Sequence, residues 1–178
     1  PLPELQYFNS ILFSDFENGF KFLNELTKKN LQPASVRLFD NLQFQFSRAL
    51  KPCSSNFHQG IKAWLEKFYV MKIRHFDPNE MVGCTLLFEG MKKQVRDQEK
   101  TLLKLARKFG GITTGENNGK RGYQSTFCIA YLRDFLLKYF IVAESFETSI
   151  RWSQAIPLIK NVKELIYSEC KKFDILGN

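Results

Sequence analysis

The stretch VGCTLLFEGMKKQVRDQEKTLLKLARKFGG, Val82–Gly111, spells out a strand, a turn and a helix in that order. Val82–Phe88 is a short apolar run of strand length, and Glu89–Gly90 interrupts it. Met91–Phe109 then reads as an amphipathic helix that the double glycine Gly110–Gly111 brings to a stop. Two other segments repeat the plan. Tyr7–Ser14 is a strand followed by a helix over Asp15–Lys29, where Phe16, Phe20, Leu23 and Leu26 recur at helical spacing and Asp15 is placed to cap. Phe140–Ala143 predicts a strand, Glu144–Ser149 a turn, and Arg151–Phe173 a long helix that Thr148 or Ser149 could cap.

Between these repeats lie shorter signals. Ser35–Phe39 and Ile112–Thr114 read as strands. Ser54–Val70 reads as a helix with Phe57, Ile61, Trp64, Leu65 and Phe68 on one face. Asn41–Ala49 is open between strand and helix, because Leu42, Phe44 and Phe46 alternate. Asp77–Asn79 marks a turn, and the polar run Glu116–Gly122 reads as a loop. Few of the strands are continuous Val/Ile runs, which argues against a doubly wound parallel sheet. The pattern predicts an α+β fold: a ferredoxin-like antiparallel sheet flanked by helices packed on one face.

With 178 residues, 44% of them hydrophobic and 25% charged, the chain has the composition of an ordinary globular domain. The 18 Phe point to a thick aromatic core or a lipid-like ligand. No apolar run approaches the roughly 20 residues that a membrane-spanning helix needs. Cys53, Cys84, Cys128 and Cys170 form no C-x-x-C pair, and His58 and His75 have no zinc-like spacing, so no metal site is expected and the thiols read as free. The net charge of +8 is spread over helices with acidic residues interspersed. The basic run Lys92–Lys108 therefore reads as a solvated helix face rather than a nucleic-acid footprint. The chain opens on Pro1 rather than Met, which suggests an excised piece.

Three arginines carry the unusual chemistry. A helix over Ser125–Tyr139 is apolar nearly all round, and Arg133 falls on the same stripe as Ile129, Ala130 and Leu137. A guanidinium there needs an anionic partner. Either an internal ion pair with Glu116, Glu144 or Glu147, or an anionic ligand, would supply it. Arg37 shares a strand face with Ser35 and Phe39, and by itself reads as solvent-facing. Arg121, beside Lys120 in the glycine-flanked run, is a candidate phosphate contact; a mobile exposed loop residue is the plainer reading. No glycine-rich dinucleotide or nucleotide loop is present, and no Ser–His–Asp or paired-carboxylate arrangement can be argued.

Several strings nevertheless form a recognisable set: GGITTGENNGKRGYQSTFCIAYLRDF (Gly110–Phe135), ESFETS (Glu144–Ser149), PASVRLFDNLQFQFSRALKP (Pro33–Pro52) and TLLFEG (Thr85–Gly90). Together they resemble the alkylglycerone-phosphate synthases, within the wider vanillyl-alcohol-oxidase-like FAD-linked group. The resemblance runs end to end. It implies that residues 1–178 are the cap domain that covers the substrate side of a flavin, with the flavin-binding domain and the C-terminal catalytic segment outside the chain. It implies FAD as cofactor, held mostly by residues elsewhere, and exchange of the acyl chain of acylglycerone phosphate for a long-chain fatty alcohol. Arg133 matches a substrate-binding arginine of the family, Arg37 one that is important for activity, and Leu87 and Glu89 match positions that matter for cap integrity. A homodimer, peripheral membrane association, a peroxisomal location and no nucleic-acid partner are implied too. By itself the chain is expected to bind no flavin and to turn nothing over. The alternatives are the cap of an FAD-dependent 2-hydroxyacid dehydrogenase and a basic ferredoxin-like module for nucleic acid or membranes.

Overall fold

The computed structural model of the protein describes residues 2–50, 68–142 and 144–175. In chain order the elements are β1 (Leu5–Phe13), α1 (Phe16–Lys28), β2 (Ser35–Phe39), α2 (Asn41–Ala49), a wide helical turn (Tyr69–Ile73), β3 (Val82–Gly90), α3 (Lys92–Lys108), β4 (Ile112–Thr113), α4 (Glu116–Ser125), α5 (Ile129–Leu137) and α6 (Trp152–Lys172). A short 3-10 turn, Thr126–Cys128, joins α4 to α5. The chain falls into two compact units, Pro1–Phe135 and Leu136–Asn178.

The first unit holds an antiparallel sheet of order β2-β3-β1-β4. That is the ferredoxin-like arrangement, with α1 and α3 as its two crossover helices. β1 and β3 pair along their whole length, from Leu5 opposite Gly90 to Phe13 opposite Val82. Side chains alternate across the sheet, so this register sends Ile11, Phe13, Val82, Cys84, Leu86 and Phe88 to one face. There they meet Phe22 and Leu26 of α1 and Val95, Leu102, Leu105 and Ala106 of α3, all buried. Each such side chain contributes roughly 1.5–3 kcal/mol on leaving water.

Local chemistry sets the ends of the two helices. The Asp15 carboxylate accepts from the Asn18 backbone N–H at 2.8 Å and caps α1 as expected. Burial of Asp15 favours its protonated form, but hydrogen bonds from the Asn18 N–H, the Ser14 hydroxyl and the Asn18 amide outweigh it and hold the carboxyl below its ordinary range. At the far end of α3, Gly110 turns left-handed at φ +74° and the Gly111 N–H reaches back to the Ala106 carbonyl at 2.9 Å.

The sheet's second face is also covered, against the expectation of helices on one face only. α4 crosses it where Glu116–Gly122 read as a loop. A Cβ at Gly119 would overlap the backbone of Asn9, and one at Gly122 would stand 2.5 Å from the Thr85 methyl. The helix therefore lies against the sheet closer than any larger residue permits. Tyr123 completes the seat, its ring 5.4 Å from that of Phe8. α2 resolves the ambiguity of Asn41–Ala49 as a helix, capped by Asp40, which accepts from Gln43 N–H at 2.9 Å. Phe44 turns back onto Gly83 of β3. Alternation in this segment places its aromatics on two sides of a helix rather than on one face of a strand.

Three further expectations are corrected. The helix anticipated over Ser125–Tyr139 is shared among the end of α4, the 3-10 turn and α5. No strand forms at Phe140–Val142; Phe140 instead turns left-handed at φ +60° just beyond α5, and the sheet is made without it. α6 starts later than Thr148 or Ser149 would allow: Arg151 stands at its N-cap, with no side-chain hydrogen bond there. The turn at Asp77–Asn79 forms, its Asp77 carboxylate accepting from Asn79 N–H at 2.8 Å. Of the helix expected over Ser54–Val70, residues 54–67 lie outside the described ones. In the second unit α6 runs with Pro157 inside it and no buried residue among those described.

Two measurements test this account. Asp15→Ala is expected to cost about 1 kcal/mol at neutral pH. Because the folded carboxyl is held low, this contribution is fully present above the unfolded value of about 4 and fades as pH falls through the lower folded value. Urea melts of both proteins at pH 7 and in strong acid read the difference; a gap that persists in acid would rule out the carboxylate cap. Gly119→Ala is expected to cost about 2 kcal/mol or more, as overpacking does, whereas an unchanged melting temperature would mean that α4 does not sit on β1.

Candidate functional site

The second face of the sheet carries a polar row. Arg37 stands opposite Thr85, Thr85 opposite Ser10, and the Thr114 backbone N–H donates to the Ser10 carbonyl at 2.8 Å. The hydroxyls of Ser10 and Thr114 are 2.5 Å apart. One pleat further along, the same face turns apolar, with Leu12, Gly83 and the Phe44 ring. α4 hangs over the polar end and brings Arg121 and Asn118 to it. Between α4 and α2 lies a cavity of about 770 Å³. Arg121, Thr85 and Asn118 line one part of it, and Phe44, Val70 and Met81 another. Among the described residues no acidic side chain lines it, while Arg48 and Arg121 both do.

Arg121 is the site's outlier. Its Nε is closed off from solvent and has no hydrogen-bond partner among the described residues. Such an orphaned donor ordinarily costs about 1–3 kcal/mol. The exposed loop residue anticipated from sequence is in fact a part-buried helix residue on a cavity wall.

Arg37 is exposed on β2, as its alternation predicts, and shares its face with Thr85, the cross-strand neighbour roughly 5 Å away. The structure thus brings Arg37 and Arg121 to one sheet face. Arg133 is different. Its side chain is 48% exposed on α5, with the neighbouring Asp134 carboxylate 3.6 Å away, so the isolation from water read from its helical stripe is not present. The stripe keeps its phase within α5 but is not covered: Leu137, on the same face, is itself 50% exposed. Leu87 is buried at 4% exposure, consistent with a core position. Glu89 is exposed and accepts from the Gln6 amide at 2.5 Å across β1 and β3.

Sequence reading passed over α4 itself. Its signal is the glycine spacing: Gly119 and Gly122 stand three apart on one face of the helix, and Gly115 at φ +85° occupies its N-cap. Glycine and asparagine lower helix propensity, yet this glycine face is what admits close packing.

Among the described residues no group of His, Cys, Asp and Glu is placed to hold a metal, and no helix is long and apolar enough to cross a membrane. His75 is exposed with φ +55°; His58 and Cys53 lie outside the described residues. Cys84 is buried and Cys128 exposed. Burial pushes the Cys84 thiol up to about 12, against a smaller opposing effect of its hydrogen bond with the Arg37 backbone.

Comparison with known proteins decides the family. The profile described as FAD linked oxidases, C-terminal domain, matches residues 2–177. The chain belongs to this FAD-linked oxidase family. Among curated relatives, the alkyldihydroxyacetonephosphate synthase of Caenorhabditis elegans is 40% identical over 171 residues, covering 96% of this chain and 29% of that protein. The synthase of the same name from Trypanosoma brucei brucei is 28% identical over 163 residues, 92% of this chain and 26% of its own. A solved structure of an alkyldihydroxyacetonephosphate synthase superposes with a TM-score of 0.81 at 24% identity, over 97% of this chain and 31% of that one. That last likeness speaks for the fold alone. This member of the FAD-linked oxidase family spans less than a third of the length of these relatives.

The family name raises the question of where FAD would sit. The left-handed glycines Gly90, Gly110 and Gly115 lie singly at element ends, and no phosphate-cradling loop is built from them. The described residues therefore do not fit the dinucleotide.

The two cysteine environments predict opposite reactivity. A maleimide at pH 8 is expected to label Cys128 within minutes and Cys84 only after unfolding, because the thiolate is the reacting form. Peptide mapping reads this, and native labelling of Cys84 would contradict its burial.

Proposed function

We propose that this chain is the substrate-covering part of an FAD-dependent alkylglycerone-phosphate synthase, which replaces the acyl chain of acylglycerone phosphate with a fatty alcohol. The observation that carries the reading is the 40% identity to a protein of that activity across 96% of the chain. The cationic, partly apolar second face supports it. A ligand with an anionic group and a long chain finds both kinds of surface on one sheet face. In this reading Arg133 meets the departing carboxylate. Among the described residues its guanidinium meets one carboxylate, that of the neighbouring Asp134 at 3.6 Å from Nε, so a bidentate carboxylate has N–H donors left to engage. Arg37 acts on the same reaction from the sheet face, either on the ligand or in support of the site. With this reading go FAD held by other parts of the protein, a homodimer, a peripheral seat on a membrane and a peroxisomal address.

In the intact enzyme, Arg133→Lys is expected to lower acyl-for-alkyl exchange at least tenfold while leaving the melting temperature unchanged, because Lys cannot reproduce a two-pronged contact. Full exchange activity in that variant would remove Arg133 from the site. Oxidation of a 2-hydroxy acid with an electron acceptor, in place of exchange, would replace the synthase reading with that of a dehydrogenase. The chain purified alone is expected to be colourless and inactive; a flavin absorbance spectrum would overturn this.

A further inference from the structure

The unpartnered guanidinium of Arg121 has no structural role among the described residues. Its Nε donates to no described residue, no described carboxylate lines the cavity around it, and its helix is held instead by the Gly119 and Gly122 contacts and by Tyr123. Around it stand hydroxyls, which can donate as well as accept, and no described carboxylate. The Thr85 hydroxyl has no partner among the described residues and stands at the centre of the row formed by Arg37, Thr85 and Ser10. Asn118 is fixed in place by donating its amide to the Thr114 carbonyl at 2.8 Å. A guanidinium whose Nε–H is closed off from solvent without a described partner, beside a hydroxyl able to donate, favours an anion over a cation or a neutral ligand.

The cavity also changes character along its length. Moving one pleat along β3 from Thr85 to Gly83 replaces hydroxyls with the Phe44 ring, and Leu12 replaces Ser10 on β1 in the same step. Leu12 and Met81 belong to one buried cluster against which Phe44 and Val70 pack. At about 770 Å³ the space exceeds what an inorganic anion needs and lies within the range of small-molecule sites.

We propose that Arg121 and Thr85 form an anion-binding subsite for the head of a phosphate monoester whose apolar chain lies against Phe44, Val70 and Met81. The inference deepens the synthase reading, on which only the identity of the natural ligand rests; the subsite's chemistry stands on the cavity. Phosphate is favoured over carboxylate because the cavity offers a guanidinium and a hydroxyl together, and a dianionic group with three oxygens uses both.

Titration calorimetry on the chain tests the subsite with octyl phosphate, inorganic phosphate, octanoate and octanol as probes. Octyl phosphate is expected to bind at least tenfold tighter than each of the other three. Arg121→Gln is expected to weaken octyl phosphate at least tenfold, to leave octanol unchanged, and to melt no lower than the parent, since it removes an orphaned donor. Phe44→Ala is expected to weaken octyl phosphate and leave inorganic phosphate unchanged. Equal binding of inorganic and octyl phosphate would remove the apolar half of the proposal, and tighter binding of octanoate would replace phosphate with carboxylate. A lower melting temperature for Arg121→Gln would show a structural role and overturn the subsite. The two readings fail separately. Octyl phosphate bound by a chain whose intact enzyme performs no exchange would sink the synthase reading alone; exchange activity with no phosphate binding at Arg121 would sink the subsite alone.

Discussion

The contact on which the second face depends is the one between Gly119 and the backbone of Asn9. Two polar backbones meet there with no side chain between them, and no larger residue can occupy the position. This fixes the height of α4 above the sheet, and with it the distance from which Arg121 and Asn118 approach the Ser10–Thr85 row. A helix held off by one methyl group would widen the cavity and return the Arg121 guanidinium to water. The arginine's unusual surroundings are therefore a consequence of a glycine two residues away.

The two faces of the sheet divide the labour between stability and chemistry. Toward α1 and α3 the strands' side chains are apolar except at Asn9. Its amide donates to Glu99 of α3 at 2.7 Å and accepts from the Thr113 hydroxyl at 2.9 Å. That one residue ties β1 to a helix on one side and to the edge strand on the other, in the part of the core where a polar group must be satisfied to be tolerated. Toward α4 the same strands present hydroxyls and arginines. Such a face stabilises little by itself, and the protein can spend it on binding because the opposite face already secures the fold.

The ferredoxin-like plan was legible because its signals are local. Strand runs of matched length, the Asp15 cap and the Gly110–Gly111 stop each act within a few residues, and each appears where the chain places it. What was hidden depends on distant partners. α4 is a helix because Asn9 and Thr85 accept its glycines, and nothing within Glu116–Gly122 carries that information except the glycine spacing. Arg133 is exposed for a related reason: an apolar stripe implies burial only where another element covers it, and on α5 Leu137 of that stripe is as open to water as the arginine. Arg37 was read correctly as facing away from the core, but its relation to Arg121 requires the β2–β3 register, which no periodicity within either strand reveals. The strand expected at Phe140–Ala143 had the right composition, but Phe140 turns left-handed at φ +60° and the described residues there stay outside any ladder.

The pairing of β1 with β3 has a consequence for how the molecule is made. Within this domain Leu5–Phe13 finds its partner only when residues 82–90 have been synthesised, and its other neighbour only at residues 112–113. Until then α1 has half a sheet to pack on and the apolar face of β1 is without cover. A topology whose central ladder closes a loop of this length folds slowly, and exposes a long strand while it waits. Nascent chains of this domain are thus expected to lean on chaperones through the first half of their synthesis, and to become self-sufficient when α3 arrives to close the core.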